Sequence, residues 1–257
     1  GGLWGSAWVG LNNFREFLTD GEFLRSLRNT VIFSLGKLAL QFPMAIMLAL
    51  ALNELQHARI KKIYQTVFTF PHFISWVVMA GILKNMFASN GVINQLLTVW
   101  GMESVSPLLS LTGFRPFIWF SNIWKEAGWD TIIYMAALAG IDPGLYEAAE
   151  IDGANRWRKI WHITLPGIRS TILIMLILEI GRIMTTGASF DQVFNLYSSP
   201  VYEVADTIDT YIYRTSFGGT KNFGYTTAVG LSKSVIGVLM MLGANRLVTA
   251  CGEDGLF

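Results

Sequence analysis

Long apolar runs alternate with short polar segments along this chain. A helix needs about 20 apolar residues to cross the roughly 30 Å hydrocarbon core of a bilayer, and five runs are that long. The predicted spans are Thr30–Asn53, Ile63–Leu83, Pro116–Gly140, Ile168–Gly187 and Thr227–Val248. The pattern predicts an all-α, polytopic membrane helix bundle, with residues 1–257 forming a single transmembrane domain.

The composition also indicates a membrane protein. The sequence is 52% hydrophobic and 14% charged, whereas soluble domains average about 25% charged residues. The formal net charge of +1 provides no field that would attract nucleic acid. A single cysteine, Cys251, excludes an intramolecular disulfide, and the three histidines form no spaced metal-ligand cluster.

Basic residues in the loops predict the orientation, because Lys and Arg in short loops favour the cytoplasmic side. They follow the first and third spans: Arg59, Lys61, Lys62, Arg156, Arg158, Lys159 and Arg169. Both loops lie on one face if the spans alternate, so we expect the chain to begin outside and to end in the cytoplasm. The outer side then receives the acidic stretch 188–226 and a loop with a short helix at Gly91–Trp100.

Several predicted spans contain charged residues, which are costly in hydrocarbon and normally face a bundle interior or a wet cavity. They are Lys37, Lys125, Glu126, Glu179, Arg182 and Lys233. Lys37 and Lys233 have no opposite charge at helical spacing, which makes them the better candidates for a substrate pathway. The alternative is that these groups only satisfy one another or extend to the membrane boundary.

Neighbouring charges in the spans suggest how some of these groups are satisfied. Glu179 and Arg182 are three residues apart and share a helix face, which allows a local pair. Lys125 and Glu126 are adjacent, so we expect them to point in different directions and to find partners elsewhere.

A polar segment, YEAAEIDGANRWRKIWHITLP (Tyr146–Pro166), separates the third and fourth spans. Asp142 is a plausible N-cap with Pro143 at the first helical position. Gly153 supplies a left-handed residue that ends this first short helix, and a second short helix follows before Leu165 and Pro166. Large apolar side chains are available as anchors: Tyr146, Trp157 and Trp161. The residues alone leave two interpretations open, a docking element and an amphipathic helix on the membrane surface.

The segment resembles the EAA signature of permease subunits of binding-protein-dependent ABC importers. The match is Glu147-Ala148-Ala149, three residues, Gly153, nine residues, and Ile163-Thr164-Leu165-Pro166. The stretch VGLNNFREFLTDGEFLRSLRNT and the pattern of spans look like the carbohydrate branch, in particular the permeases for oligosaccharides and polysaccharides. Six spans and the type I permease fold are usual there, so a further span is expected before the five seen here.

The resemblance implies that residues 142–166 form the coupling helices, which sit in a cleft of a separate ATPase subunit. The expected coupling residues are Tyr146, Glu147, Ala148, Ala149, Asp152, Gly153, Leu165 and Pro166. It also implies a second, related permease subunit and an extracytoplasmic solute-binding protein, within the bacterial inner membrane. No cofactor is expected in this chain, which has no G-x-x-x-x-G-K-[ST] loop; ATP and Mg²⁺ would bind the partner ATPase.

Aromatic, amide and basic side chains in the spans are candidates for contacting a saccharide. We predict a pathway lined by Lys37, Trp119, Asn122, Trp124, Lys125 and Lys233, with Trp76 and Trp129 as further aromatic candidates. Any single Trp is more commonly part of an interfacial belt. Basic side chains outnumber acidic ones among the charged residues of the spans, which suggests an acidic saccharide such as alginate.

Two other function classes remain open at this point. An ion-coupled secondary transporter would carry its own energy source. A membrane-embedded glycosyl or lipid transferase would use Glu126 or Glu179 as a base, but the sequence shows no acidic motif with metal or phosphate ligands at a membrane boundary.

Overall fold

The computed structural model describes residues 8–186, 189–218, 223–250, 252 and 255. All regular structure within these residues is helical, which confirms the predicted fold class. The α-helices are α1 (Asn12–Thr19), α2 (Gly21–Asn53), α3 (Ala58–Thr69), α4 (Trp76–Met86), α5 (Val92–Val99), α6 (Phe114–Ala139), α7 (Pro143–Ile151), α8 (Arg156–Lys159), α9 (Leu165–Gly167), α10 (Arg169–Gly181), α11 (Ile183–Thr186), α12 (Phe190–Leu196), α13 (Tyr202–Ala205), α14 (Ile208–Phe217) and α15 (Phe223–Ala250). Short 3₁₀ turns lie at Phe70–Phe73, Pro107–Leu109 and Ser199–Val201, and a π turn lies at Ile160–Thr164.

The first predicted span is the C-terminal part of a longer helix, α2. α2 begins at Gly21 because the Asp20 side chain caps it, accepting a hydrogen bond from the Glu22 backbone N–H at 2.8 Å. The helix has 33 residues, about 50 Å at 1.5 Å per residue. It continues through Pro43 to Asn53 and is therefore longer than the roughly 30 Å hydrocarbon core is thick.

The second predicted span is not one straight helix. The segments Ala58–Phe73 and Trp76–Met86 meet at a bend of 97°. Pro71 lies in the 3₁₀ turn before the bend, and Ser75 adopts an extended conformation and caps α4 by accepting from the Val78 N–H. The apolar run Ile63–Leu83 predicted a membrane span in this region but not the bend that divides it.

The other spans agree with the sequence to within a few residues. α6 runs from Phe114 to Ala139 and α15 from Phe223 to Ala250. The fourth apolar run is interrupted, because α10 ends at Gly181 and the short α11 follows. Gly187, the predicted end of that span, lies outside the described residues.

Among the described helices, two are long and apolar enough to cross a membrane unbroken, α2 and α15. Counting each bent pair as one span, Ala58–Phe73 with α4 and Arg156–Gly167 with α10, raises the number to four. α6 has 26 residues but contains Lys125, Glu126 and Asp130, so composition alone does not qualify it. The five predicted spans therefore correspond to five helical regions. Two of these regions are bent, and one, α6, contains charged residues in its middle part.

α2 and α6 pack side by side and form the centre of the bundle. Two glycines allow α2 and α6 to approach their neighbours closely. A Cβ at Gly36 would lie 2.1 Å from the Trp119 ring, and a Cβ at Gly128 would lie 2.1 Å from the Phe68 carbonyl oxygen. Glycine at these positions lets α2 meet the Trp119 ring and lets α6 meet the backbone of α3.

Asp20 and Asp206 hold the N-terminal end of α2 against the segment 189–218. Tyr211 and Tyr225 both donate to Oδ2 of Asp20, at 2.9 and 3.0 Å. Burial alone would raise the pKa of Asp20, but the hydrogen bonds from Tyr211 and from the Glu22 N–H outweigh it and lower that pKa. Asp206 is fully buried and accepts from Arg214 at 2.7 Å.

Candidate functional site

The polar segment predicted between the third and fourth spans forms a compact projection, which we call the elbow (residues 142–167). The Asp142 side chain accepts from the Gly144 N–H at 2.9 Å, and Pro143 is the first helical residue of α7. Gly153 has φ +74° and ends the helix. Its N–H donates to Glu150, and the next N–H donates to Ala149 at 2.8 Å. The predicted cap and left-handed turn are both confirmed.

The second half of the elbow differs from the prediction. Asn155 caps α8 by accepting from the Arg158 N–H at 2.9 Å, and the helical path then continues through the π turn into α9. Leu165 and Pro166 lie inside this helical path and do not follow its end. Proline lacks an N–H and its ring presses on the preceding turn, and the wider π turn directly before α9 accommodates both.

The side chains of the elbow divide into an inner and an outer set. Tyr146 is half-buried, and its hydroxyl lies 3.0 Å from Oγ1 of Thr164, so it joins the two halves of the elbow and is not an outward anchor. Ala149 and Leu165 are also half-buried. The remaining predicted coupling residues face outward: Glu147, Ala148, Asp152, Gly153 and Pro166.

Large apolar side chains of the elbow are also exposed. Trp157 is 72% exposed and Trp161 is 65% exposed, as expected for anchors. Ile151, which the sequence analysis did not single out, is 87% exposed at the tip of α7. Its position one turn after Glu147 could have identified it, because residues four apart share a helix face.

One ion pair crosses the elbow. Lys159 Nζ donates to Oε1 of Glu150 at 2.7 Å, joining the acidic α7 to the basic α8. This hydrogen bond and the nearby positive charge lower the pKa of Glu150. Glu147 lies three residues earlier and is exposed on the outer side of α7, where it is available to a partner.

A second candidate site lies inside the bundle, a cavity of about 350 Å³ that we call the polar cavity. It is lined by Lys37, Gln41, His72, Trp76, Asn122, Glu126, Trp129, Asp130, Glu179, Arg182, Ser189 and Phe190. The residues come from α2, the 3₁₀ turn before the bend, the start of α4, α6, the end of α10 with Arg182 after it, and the start of α12 with Ser189 before it. No group of three or more potential metal-binding side chains occurs within the described part of the chain.

Hydrogen bonds between helices hold the wall of the polar cavity. The Gln41 amide donates to Oδ2 of Asp130 at 2.5 Å, and the Asn122 amide donates to Gln41 Oε1. Nδ1 of His72 lies 2.5 Å from Oε2 of Glu126. The His72 ring also stacks on Trp129, with centroids 4.2 Å apart and planes 6° apart.

The structure contradicts the prediction that Lys125 and Glu126 point in different directions. Lys125 Nζ lies 2.9 Å from Oε1 of Glu126 and 2.7 Å from the His72 carbonyl oxygen. It is 4% exposed and lies 5.4 Å from the centre of the Trp76 ring. The long lysine side chain bends back to its neighbour, so Lys125 is a buried support behind the cavity wall.

Lys233 has no opposite charge at helical spacing, as the sequence indicated, but it has a partner on another helix. Its ammonium group forms an ion pair with Asp209 of α14, twenty-four residues earlier in the chain. It lines a different, mainly apolar cavity with Phe14, Phe17 and other residues. Helical spacing could not reveal this partner because the two residues lie on separate helices.

Of the six predicted pathway residues, Lys37 and Asn122 line the polar cavity. Trp119 packs between α2 and α6, and its Nε1–H donates to the Phe33 carbonyl at 3.2 Å. Trp124 is 46% exposed on the outer surface of α6. The cavity wall contains the basic side chains Lys37 and Arg182 and three carboxylates. The excess of basic groups inferred from the sequence is therefore absent there.

Sequence reasoning missed Gln41, His72 and Asp130 in this cavity. A signal was present for two of them. Lys37 and Gln41 are four residues apart on α2, and Asn122, Glu126 and Asp130 follow at intervals of four on α6, which places each set on one helix face. His72 had no such signal, because the bend before α4 brings it to the cavity.

Comparisons with known proteins agree with this architecture. Residues 41–250 match the family described as "Binding-protein-dependent transport system inner membrane component". The chain is 43% identical to the polygalacturonan/rhamnogalacturonan transport system permease protein YteP of Bacillus subtilis (strain 168), over 100% of this chain and 79% of YteP.

Solved structures give the same result. A chain of a bacterial alginate ABC transporter, in complex with an alginate pentasaccharide-bound periplasmic protein, has a TM-score of 0.91 and 39% identity, over 96% of this chain and 85% of that chain. A chain of a bacterial ABC transporter involved in the import of the acidic polysaccharide alginate has a TM-score of 0.89 and 40% identity, over 95% and 85%. The protein described here therefore belongs to the family of binding-protein-dependent transport system inner membrane components and is a permease subunit of a carbohydrate ABC importer.

Proposed function

We propose that this permease moves an oligosaccharide or polysaccharide into the cytoplasm by alternating access, driven by a separate ATPase subunit through the elbow. The observation that carries the proposal is the exposed surface of the elbow, on which Glu147, Ala148, Ile151, Trp157 and Trp161 are all exposed. Exposed aromatic anchors next to small residues are typical of a docking surface. The ATPase would bind ATP and Mg²⁺ and move the elbow when its two copies close.

The internal bonds of the elbow support rigid transmission of that movement. Tyr146 joins α7 to the π turn through Thr164, and the pair between Glu150 and Lys159 joins α7 to α8. Two short helices connected at three places, including the turn at Gly153, move as one body. A displacement of the elbow would then reach α10 directly through α9.

The complete importer needs other subunits. We propose a second, related permease to complete the pathway and an extracytoplasmic solute-binding protein to deliver the saccharide to the outer segments. A chain similar to this one was solved in a complex that includes a periplasmic protein, which supports the second of these partners.

The proposed orientation follows from the elbow. If the ATPase docks there, the elbow and the loop with Arg59, Lys61 and Lys62 face the cytoplasm, in agreement with the basic residues in both. The outer side then holds the segment 87–113 and the segment 189–218. By this proposal the chain begins outside and ends inside.

We propose that the saccharide passes the polar cavity. Gln41 and Asn122 offer amides to sugar hydroxyls, and Trp129 offers a ring for stacking. An acidic saccharide is supported by the similarity to a transporter of alginate, and its carboxylates would face Lys37 and Arg182. The three carboxylates of the wall would accept from hydroxyl groups.

Charge reversal at Glu147 tests the docking role. We expect Glu147→Arg to lower ATP-driven saccharide uptake about tenfold or more, the loss of one strong interface contact, and to reduce co-purification of the ATPase. Glu103→Arg is the matched control, because it reverses an exposed charge in the opposite loop. Unchanged uptake and assembly in Glu147→Arg would exclude the proposed docking surface.

Competition during uptake tests the substrate class. In proteoliposomes that contain the full importer, a uronate oligomer should inhibit its own labelled uptake, whereas a neutral oligosaccharide of equal length should not. Lys37→Gln should weaken uptake of the uronate oligomer more than Lys84→Gln, which changes an exposed lysine outside the cavity. Preference for the neutral oligosaccharide would refute the acidic substrate and leave the docking role intact.

A further inference from the structure

The segment between α4 and α6, residues 87–113, has an unusual composition for a loop; we call it the outer hairpin. Between Lys84 and Arg115 the only charged residue is Glu103. The outer hairpin contains α5 and the 3₁₀ turn Pro107–Leu109. A solvated loop of this length would normally contain several charges, so the composition indicates an environment other than water.

One buried asparagine holds the outer hairpin in a defined shape. Asn94 of α5 is 1% exposed. Its amide group donates to the carbonyl oxygens of Ala88 at 2.9 Å and Val105 at 3.0 Å, and its Oδ1 accepts from the Val105 N–H at 2.7 Å. These bonds join the start of the segment, at Ala88, to Val105 beyond α5, so residues 88–105 form a folded unit.

One face of α5 and several neighbouring positions of this unit expose large apolar side chains. On α5 the exposed fractions are 60% for Val92, 46% for Leu96 and 80% for Val99, and Trp100 after it is 69% exposed. The rest of the hairpin adds Met102, Val105, Leu109 and Leu111, each at least 42% exposed. The arrangement of α5 is inverted relative to a helix in water, since the buried residue is an asparagine and most of the exposed residues are aliphatic.

We infer that the outer hairpin is an interfacial anchor that lies in the outer leaflet of the membrane, with Val92, Leu96, Val99 and Trp100 against lipid. The near-absence of charge suits a lipid environment, and a tryptophan at its edge suits the boundary between hydrocarbon and headgroups. This inference goes beyond the proposed transport function; its choice of the outer leaflet rests on the orientation proposed above, whereas contact of the hairpin with lipid does not.

Continuity with the neighbouring surface supports lipid as the occupant. The first two turns of α4, the helix that leads into the hairpin, also expose large apolar side chains: Val77 is 66%, Val78 56% and Ile82 40% exposed. Lys84 is exposed at one end of the hairpin, where its charge can reach the headgroup region. Arg115 at the other end is half-buried and donates to Asn29 Oδ1 at 2.8 Å, so it ties this end to α2. The anchor would hold the outer ends of α4 and α6 at a fixed height in the membrane.

Spin-label accessibility in the assembled importer tests this inference. In a Cys251→Ser background, Leu96→Cys and Val99→Cys are labelled and measured by power saturation in lipid nanodiscs, with oxygen and a water-soluble nickel chelate as the relaxing agents. We expect labels at both positions to lie about 5–10 Å below the phosphate level. Ser104→Cys, in an exposed polar part of the same hairpin, is the matched control and should be accessible to the nickel chelate.

The remaining outcomes would each overturn the inference. High nickel access at Leu96→Cys and Val99→Cys would place the hairpin in water. Exclusion of both agents would indicate that a protein subunit, such as the second permease or the binding protein, covers this surface. Leu109→Cys repeats the measurement on the 3₁₀ turn, and saccharide uptake by each labelled variant verifies that the importer is assembled.

Discussion

The elbow and the polar cavity contain similar residue types but use them over very different distances along the chain. In the elbow, Glu150 and Lys159 pair across nine residues. In the cavity, Gln41 and Asp130 are 89 residues apart, and His72 and Glu126 are 54 apart. Polar groups in the elbow are satisfied by near neighbours and water, whereas those in the cavity depend on helix packing.

This difference has consequences for stability and function. An unpaired polar group is inexpensive at an exposed surface but costly inside a bundle, because no water replaces the missing partner. Substitutions in the cavity should therefore destabilise the protein, and substitutions in the elbow should mainly affect transmission to the ATPase. The following predictions test that contrast, from the largest expected effect to the smallest.

The largest effect is expected for Lys125→Met. Lys125 is buried and bonded to Glu126 and to the His72 carbonyl oxygen, so its removal leaves a partly buried carboxylate with one partner fewer. Breaking such a pair costs on the order of 3–5 kcal/mol. Thermal unfolding in detergent should show a large fall in the apparent Tm, and Lys84→Met, at an exposed lysine, should show little change. Equal Tm values for both variants would show that the buried pair does not support the bundle.

Gly128→Ala should have the next largest effect. The added Cβ would lie 2.1 Å from the Phe68 carbonyl oxygen, so α3 and α6 must move apart. Overpacking of this kind costs about 1–3 kcal/mol. Gly81→Ala is the control, because a Cβ there has no neighbour within 4 Å and alanine favours the helix. A Tm for Gly128→Ala at or above that of Gly81→Ala would contradict the close approach.

Gly153→Ala should separate stability from coupling in the elbow. Gly153 has φ +74°, and a left-handed residue other than glycine costs roughly 1–2 kcal/mol. We expect a small fall in Tm but a clear loss of saccharide uptake per ATP hydrolysed, because the angle between α7 and α8 changes. Gly153→Asn should retain more uptake, since asparagine tolerates this conformation. Equal losses for the alanine and asparagine variants would argue against the turn as the cause.

The smallest effect is expected for Tyr146→Phe. The substitution removes the hydrogen bond to Thr164 Oγ1, which is worth about 0.5–1.5 kcal/mol. Thr164→Val should have a similar effect, and the double variant should add little to either single variant. Additive losses of uptake in this double-mutant cycle would show that the two side chains act independently.

Several features of the fold and the elbow could be predicted because their causes are local. The N-cap at Asp142, the proline at position 143 and the left-handed turn at Gly153 follow from neighbouring residues and backbone geometry. The apolar runs likewise located the long helices α2, α6 and α15. The EAA spacing identified the family, and this decided between an importer and the two alternatives, an ion-coupled transporter and a transferase.

Other features could not be predicted because a bend or a distant partner creates them. The 97° bend after Phe73 brings His72 to the cavity. Lys233 meets Asp209 because α14 packs on α15, and Lys125 turns back to Glu126 because the surrounding helices exclude water. The sequence placed residues 91–100 in an outer loop, but it did not show that α5 would bury its asparagine and expose its aliphatic residues.

By itself the sequence determined where the chain is apolar enough for a membrane and where its backbone must turn, because hydrophobicity and caps depend on residues that are close in the chain. The tertiary structure alone decided which charges pair, which line the polar cavity and which face of α5 points outward. Electrostatic partners in a low-dielectric bundle are chosen by distance in space, and that distance exists only after the helices have packed.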